Sequence, residues 1–221
     1  MNIVMHYPLE AGETDELRSE LDDFGVKSWP AKADFTKAEE YENLIENSLE
    51  ASGTLDILVN NASIFSPGKL DEINFSDLLQ HIQVNAWAPF VLSRDFARLV
   101  GRAKIINILD TKIMGYDFSH VAYILSKQML FVLTKMTALE FAPAIAVNAI
   151  APGLILSPEG KDESYFDQLA QTSPFKRHGD PDDIAEAAVY LLKSDFLTGQ
   201  VVYVDGGRHL TEYSNGPHPD K

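Results

Sequence analysis

The chain has 221 residues, of which 45% are hydrophobic, and this is enough for one domain with a substantial buried core. Its formal net charge of −15 would repel nucleic-acid backbones, and the absence of cysteine excludes disulfides, thiolate metal ligands and cysteine nucleophiles. Because the sequence has no signal peptide and no apolar run of membrane-spanning length, we expect a cytoplasmic protein that has no metal site and binds neither nucleic acid nor a membrane.

Short apolar runs alternate with longer amphipathic stretches, which is typical of βα units that build a parallel sheet covered on both faces. In chain order, strands are predicted at Asn2–His6, Val26–Ala33, Leu55–Val59, Lys104–Leu109, Ile145–Ile150 and Gln200–Val204. Helices are predicted at Thr14–Phe24, Thr36–Ser52, Phe75–Val100, Val121–Phe141 and Pro181–Lys193. The sequence therefore predicts one α/β domain, a doubly wound parallel sheet at residues 1–207, followed by a poorly ordered tail at 208–221.

The pair Tyr123 and Lys127 is the first candidate for chemistry. The two residues lie four positions apart in a predicted helix, and therefore on one face of it. A nearby ammonium group stabilises a phenolate, so we expect the pKa of Tyr123 to lie below its reference value of about 10. Such a pair also arises by chance, and it needs support from other motifs.

That support comes from the segment Leu55–Ser63, where an apolar strand runs into two asparagines and two small residues. In open α/β sheets, ligands bind beyond the carboxyl ends of the strands, and small residues there let a ligand approach the backbone. The alternative is an ordinary Asn-rich turn.

Several motifs, in this order, resemble the short-chain dehydrogenase/reductase family over nearly the whole chain. They are Asn60-Asn61-Ala62, Asn85, Tyr123 with Lys127, the run from Val147 to Gly153, and Val204-Asp205-Gly206-Gly207. The resemblance implies that Tyr123 is the general acid/base, that Lys127 binds the nicotinamide ribose, and that Asn85 holds a water molecule in a proton relay. The alternative for Asn85 is a plain amide on a helix face.

The same resemblance implies a Rossmann fold that binds NADPH. The implied cofactor contacts, besides Tyr123 and Lys127, are His6, Tyr7, Asp34, Asn60, Ala62, Ser63, Pro152, Gly153, Ile155 and Ser157. Asp34 matches the adenine position, and Ile155 and Ser157 match the segment that meets the nicotinamide carboxamide. An acidic residue at the tip of this strand would bond the ribose 2′-hydroxyl of NADH, and the strand that ends at His6 and Tyr7 has none directly there, which favours NADPH. Two observations weaken this preference: Glu10 is close, and no arginine is present to hold a 2′-phosphate.

One departure from the family concerns the residue thirteen positions before Tyr123. The family places a serine there, and this chain has Asp110. A partly desolvated carboxyl group can exchange a proton with its neighbour, which suits the delivery of a proton to a ring nitrogen. The exchange resembles pteridine reductases and dihydromonapterin reductases, as do Ser63 and the aromatic Phe65. This resemblance implies a dihydropterin substrate bound by Ser63, Phe65, Asp110 and Tyr123; the alternatives are core packing for Phe65 and a helix cap for Asp110.

A second departure is that the family's opening strand and Gly-rich phosphate loop have no counterpart in the sequence. The absent strand is central in the family's sheet, and its omission would leave unpaired backbone groups. We therefore expect a further βα unit of about 30 residues ahead of Met1.

Three functions remain open from the sequence. The first is NADPH-dependent reduction of a dihydropterin, and the second is reduction of a 3-oxoacyl or sugar-like ketone, against which Asp110 argues. The third is a catalytically inactive subunit that binds a pterin or a partner, which a cofactor-binding measurement would distinguish. We also expect a homo-oligomer, dimer or tetramer, because the helices Phe75–Val100 and Val121–Phe141 carry apolar residues on more than one side.

Overall fold

The computed structural model describes residues 1–8, 12–157 and 163–211. Within these ranges the strands are β1 (Ile3–Tyr7), β2 (Ser28–Lys32), β3 (Ile57–Asn60), β4 (Ala103–Ile108), β5 (Ile145–Pro152) and β6 (Val201–Val204). All pairings between them are parallel. Strands β1 and β2 form one sheet, and the other four form a second sheet in the order β3-β4-β5-β6.

The helices surround these sheets. They are α1 (Gly12–Asp23), α2 (Ala38–Tyr41), α3 (Leu44–Ser52), α4 (Phe75–Ile82), α5 (Ala88–Leu99), α6 (Val121–Glu140), α7 (Glu163–Ala170), α8 (Pro181–Lys193) and α9 (Arg208–Thr211). A π-helix (Gln83–Trp87) joins α4 to α5, and a 3₁₀-helix (Thr111–Met114) follows β4. Asp180 and Asp183 close a capping box at the start of α8, as expected from the Asp-Pro sequence there.

Both faces of the four-stranded sheet are buried. Ile105 of β4 is fully buried with Phe96 of α5, whereas its neighbour Ile106 packs on the opposite face with Leu191 of α8. This alternation follows from the two-residue period of a strand, and it explains why β4 and β5 are continuously apolar. The predicted doubly wound α/β fold is confirmed.

Four details of the prediction are wrong. The helix predicted at Thr36–Ser52 is divided into α2 and α3, and the helix predicted at Phe75–Val100 is interrupted by the π-helix. Helix α7 was not predicted. Residues 208–211 were predicted as part of a loose tail, whereas they form α9, in which the backbone N–H and the ring of His209 both bond to Asp205. Residues 212–221 lie outside the described ranges.

The sheets are separated between β1 and β3, which are not paired with each other. The resemblance places the family's opening strand at this position. Strand β3 is therefore an edge of the four-stranded sheet, and Val59 on it is 47% exposed. The carboxyl ends of β3, β4 and β5 still lie side by side, because Asn60 is level with Asn107, and Ile108 with Ile150.

In the part of the chain that the structure describes, no helix is long and apolar enough to cross a membrane. The same residues contain no group of three or more potential ligands that could hold a metal ion.

Candidate active site

Asp110 and Tyr123 meet at the carboxyl end of β4. The Tyr123 hydroxyl donates a hydrogen bond of 2.7 Å to Oδ2 of Asp110. The other carboxylate oxygen, Oδ1, accepts from the backbone N–H of Lys112 at 2.7 Å and caps the 3₁₀-helix. Asp110 therefore caps the 3₁₀-helix with one oxygen and contacts Tyr123 with the other, so the cap considered as an alternative to catalysis is present together with the Tyr123 contact.

Lys127 lies one turn after Tyr123 on α6, with its ammonium group 5.7 Å from the centre of the Tyr123 ring. Its side chain is buried, with 2% exposure, and Nζ donates to the carbonyl of Ile108 at 2.8 Å. An ammonium group has three N–H donors, and one of them has a partner among the described residues. Lys127 is therefore a buried cation that could hold a polar ligand through its other donors.

The pKa values of the pair differ from the sequence-based expectation. Burial raises the pKa of Tyr123 well above its usual value, and the charge of Asp110 and the hydrogen bond to it raise it further. Burial lowers the pKa of Lys127 to about 8, although the charge of Asp110 acts in the opposite direction. The expected lowering of the Tyr123 pKa is thus wrong, because desolvation and the neighbouring Asp110 carboxylate both raise it.

Asn85 lies in the π-helix and is fully buried. Its side-chain oxygen accepts from Ser63 Oγ at 3.1 Å and from the backbone N–H of Ile64 at 2.8 Å. Its amide group donates to the carbonyl of Ile64 and to Ser126 Oγ. These four bonds use the whole capacity of the side chain, so a water molecule in the predicted relay would have to bind the backbone carbonyl of Asn85.

Pro89 gives a physical reason for the π-helix. In an α-helix the N–H of residue 89 would bond to the carbonyl of Asn85, but proline has no N–H and its ring crowds that carbonyl. The wider π-turn at Gln83–Trp87 relieves this conflict. The carbonyl of Asn85 is therefore left without its ordinary α-helical donor.

Asn60 and Ala62 follow β3, but the side chain of Asn60 points into the protein. It is 6% exposed, and its amide donates to Ser93 Oγ at 3.0 Å and to Asn107 Oδ1 at 2.8 Å. Ala62 is partly buried against the core. A cofactor contact by Asn60 stays a prediction, and such a contact would have to use its backbone.

Phe65, predicted to stack a substrate ring, is 46% exposed and is not a core residue. Its ring packs against that of Tyr123 in a T-shaped arrangement, with the ring centres 4.7 Å apart and the planes at 84°. It is also stacked on His120, with the ring centres 4.2 Å apart and the planes at 11°. His120 was not predicted as a site residue; its signal in the sequence was an aromatic residue three positions before the candidate tyrosine.

The segment after β5 continues the same edge of the sheet. Gly153 packs directly on Asp205, and a Cβ atom at this glycine would lie 2.6 Å from the Cβ of Asp205. Asp205 accepts from Thr111 Oγ1 at 2.6 Å, which ties this segment to the residue next to Asp110. Pro152 and Ile155 are partly buried, and Ser157 is exposed.

His6 and Tyr7 lie on β1 of the two-stranded sheet, and Asp34 lies two residues after β2. His6 Nε2 bonds to the carbonyl of Ala33 at 2.7 Å, and burial lowers the pKa of His6 although that bond acts to raise it. Tyr7 ends β1, and its carbonyl accepts from Ala33 N–H. The carboxylate of Asp34 accepts from the backbone and hydroxyl of Thr36. Glu10 lies outside the described residues.

The fold and the Asp110, Tyr123 and Lys127 cluster define a Rossmann-type oxidoreductase. A family model described as Enoyl-(Acyl carrier protein) reductase matches residues 1–209. This match shows that the chain belongs to the short-chain dehydrogenase/reductase family.

Relatives of known sequence include enzymes named for carbonyl and sugar oxidoreduction. Glucose 1-dehydrogenase 2 of Bacillus subtilis is 31% identical over 222 residues, covering 95% of this chain and 86% of that protein. The 3-oxoacyl-(acyl-carrier-protein) reductase FabG of Staphylococcus epidermidis is 29% identical over 219 residues, covering 95% of this chain and 89% of that protein.

Similar solved structures include FolM alternative dihydrofolate reductase 1 from Brucella canis, complexed with NADP. It has a TM-score of 0.87 and 26% identity, and the match covers 99% of this chain and 86% of that chain. A short-chain dehydrogenase/reductase from Serratia marcescens has a TM-score of 0.88 and 30% identity, covering 94% of this chain and 87% of that chain.

Proposed function

We propose that this oxidoreductase uses NADPH to reduce a dihydropterin. The observation that carries the proposal is the 2.7 Å hydrogen bond between Tyr123 and Asp110 at the carboxyl end of β4. An NADP complex of a similar structure named alternative dihydrofolate reductase supports both the cofactor and the substrate class.

The site fits the nicotinamide end of such a cofactor. Lys127 is a buried ammonium group with one partner among the described residues, and its remaining donors suit ribose hydroxyls. The backbone at Gly153 packs so closely on Asp205 that any residue with a side chain at position 153 would clash with it. Bound NADPH supplies a hydride, and the residues of the chain must supply the proton.

The protons are assigned to Tyr123 and Asp110. Reduction of a ring C=N bond places the hydride on carbon and requires one proton on nitrogen. The raised pKa of Tyr123 keeps its hydroxyl protonated and therefore able to donate. Tyr123 donates its proton to the ring nitrogen, and a proton that the Asp110 carboxylate takes up from the solvent passes to the phenolate and restores the hydroxyl after each turnover.

Phe65 and Ser63 are proposed to contact the pterin. Phe65 is 46% exposed and its ring centre lies 4.7 Å from that of Tyr123, so a flat substrate stacked on it would lie near the proton donor. Ser63 is exposed, and its hydroxyl donates to Asn85, which holds the loop that carries Ser63 and Phe65.

The second candidate is reduction of a carbonyl group, which the names of the curated relatives favour. Steady-state consumption of NADPH separates the two candidates. We expect a higher kcat/KM with a dihydropterin than with a 3-oxoacyl thioester, and Tyr123→Phe should abolish turnover of both substrates while NADPH still binds. The opposite substrate order would favour the carbonyl reductase, and a wild-type protein that binds no NADPH would favour an inactive subunit.

We also propose a homo-oligomer formed through α6. Leu125, Val132, Met136 and Leu139 are spaced along one stripe of this helix and are 48%, 51%, 60% and 83% exposed. A continuous apolar stripe of this kind is typical of a surface that another subunit covers.

A further inference from the structure

The ring of Phe65 is held by a second aromatic ring that the proposed reaction does not use. His120 lies parallel to Phe65, with the ring centres 4.2 Å apart, and Phe65 and Tyr123 pack with their ring planes nearly perpendicular. An exposed phenylalanine on a loop would otherwise be free to change its rotamer. The contact with His120 fixes the plane of the Phe65 ring next to the candidate proton donor.

His120 is itself held by an ion-pair cluster. Its Nδ1 bonds to Asp117 Oδ2 at 2.9 Å, and the same carboxylate pairs with the ammonium group of Lys112. Burial acts to raise the pKa of Asp117, but hydrogen bonds from Lys112, the Ser119 N–H and His120 lower it to about 2. Asp117 is therefore ionised at any pH at which the protein would work, and it provides a permanent acceptor for His120.

The two loops that carry the rings are joined through their backbones. Gly68 N–H donates to the carbonyl of Ser119 at 2.8 Å, and Val121 N–H donates to the carbonyl of Gly68 at 3.1 Å. These bonds flank His120 and follow Phe65 closely in the chain. They set the spacing of the loops without help from the side chains, so substitution of His120 should not separate them.

We propose that His120 is a positioning residue for a planar heteroaromatic substrate, because it fixes the Phe65 ring as a ready-made stacking surface beside Tyr123. The proposal rests on the proposed function, since it assigns the exposed ring of Phe65 to the substrate. A ring fixed in advance loses less conformational freedom when the substrate binds, and this improves affinity without a new contact. A non-aromatic ketone cannot stack, so it should gain nothing from His120.

The test compares His120→Ala, which removes the stack, with His120→Phe, which keeps an aromatic ring but loses the bond to Asp117. Phe118→Ala is the matched control on the same loop: Phe118 is 57% exposed, and its carbonyl bond to Leu70 N–H does not depend on its side chain. For each protein, KM and kcat are measured with a dihydropterin and with a 3-oxoacyl thioester. Binding of an oxidised pterin in the presence of NADP is followed by fluorescence.

We expect His120→Ala to raise the KM for the dihydropterin, and the Kd for the oxidised pterin, by roughly 3- to 10-fold, the range that one aromatic contact provides. The kcat, the KM for NADPH and the KM for the thioester should stay within about twofold of wild type, because the lost stack on Phe65 and the lost bond to Asp117 both lie outside the contacts proposed for those ligands. His120→Phe should restore most of the pterin affinity, and Phe118→Ala should behave as wild type. Asp117→Asn, which keeps an acceptor for Ser119 N–H, should give a smaller rise than His120→Ala.

An unchanged KM in His120→Ala would overturn the role of His120 while leaving dihydropterin reduction intact. A lower KM would show instead that His120 occupies the place of the substrate ring. Equal losses with pterin, thioester and NADPH would mean a general structural role. If the wild-type protein neither binds nor reduces a pterin, the proposed function fails and this proposal fails with it.

Discussion

The substitution Asp110→Ser tests the catalytic assignment most directly, because it separates the two roles of this side chain. One carboxylate oxygen caps the 3₁₀-helix through Lys112 N–H, and the other accepts from Tyr123. Serine is also a favourable capping residue, so the start of the 3₁₀-helix should be kept. What is lost is the carboxylate beside the tyrosine.

The magnitude of the effect distinguishes a lost hydrogen bond from a lost proton transfer. A hydrogen bond to a charged group contributes about 1.5 to 3 kcal/mol, which corresponds to a loss in rate of roughly 10- to 100-fold. General acid catalysis contributes about 10²- to 10⁴-fold, or about 3 to 5 kcal/mol. We therefore expect Asp110→Ser to lower kcat on a dihydropterin by about 10²- to 10⁴-fold, and a loss beyond about 10²-fold requires proton transfer.

The assay is NADPH consumption with a dihydropterin and with a simple ketone, together with the Kd for NADPH. The ketone should keep its rate or gain, because the substitution restores the serine of the wider family and the Tyr123 hydroxyl is still present. The NADPH affinity should stay nearly unchanged. Asp110→Asn is the control for shape: asparagine caps as well as aspartate, but it cannot exchange a proton, so it should be as inactive on the pterin as the serine variant.

Two results would refute the reasoning. Equal losses on the pterin and the ketone, accompanied by a lower melting temperature, would show that Asp110 acts mainly as the cap of the 3₁₀-helix. An unchanged rate with the pterin would remove the reason to prefer a pterin over a ketone, and carbonyl reduction would become the better assignment.

Three further predictions concern stability and assembly. The pKa of Lys127 is about 8 in the folded protein, against a reference value of 10.5, so between these pH values the unfolded chain binds more protons than the folded one. The free energy of unfolding of the wild-type protein should therefore rise by about 3 kcal/mol from pH 8 to above pH 10. Lys127→Met should lack this rise when unfolding is followed by urea denaturation. Asn85→Ala removes four buried hydrogen bonds and should lower the free energy of unfolding by about 2 to 4 kcal/mol, and a loss below about 0.5 kcal/mol would mean that these bonds contribute little. The double variant Val132→Glu with Met136→Glu places charges on the apolar stripe of α6, and light scattering should show that it is monomeric. The control Leu17→Glu, at an exposed position of α1, should stay oligomeric. A monomeric wild-type protein would contradict the proposed interface.

Local patterns in the sequence predicted the fold, and the resemblance to the short-chain dehydrogenase/reductase family singled out Asp110 beside Tyr123. Strand β4 and helix α6 are long and strongly patterned, so the end of the strand and the start of the helix could be located. Asp110 lies two residues after β4, and Tyr123 lies in the first turn of α6. Their meeting at 2.7 Å follows once β4 and α6 pack together.

The partners of the buried amides could not be predicted in the same way. Asn60 bonds to Ser93 and Asn107, which are 33 and 47 residues away, and a single sequence identifies an asparagine but not its distant partner. The π-helix is different, because Pro89 inside a predicted helix was a local signal that the i−4 carbonyl would be crowded. The contact between His120 and Phe65 depends on the backbone bonds that join their two loops, and these bonds cannot be predicted from the identity of the two aromatic residues.

Burial and Asp110 decide the protonation state of Tyr123. The prediction from the sequence took account of one neighbour, Lys127, whereas burial and Asp110 both raise the pKa of the phenol. The phenol therefore keeps its proton at neutral pH, and transfer of that proton to a substrate has to proceed against both effects.

Asp110 also affects what a pH profile can report. Burial is the largest cause of the raised pKa of Tyr123, and the charge of Asp110 and the hydrogen bond to it raise the pKa further. The contribution of burial does not depend on the Asp110 side chain. Asp110→Ser should therefore lower the pKa of Tyr123 relative to the wild-type protein, although burial still raises it above its usual value.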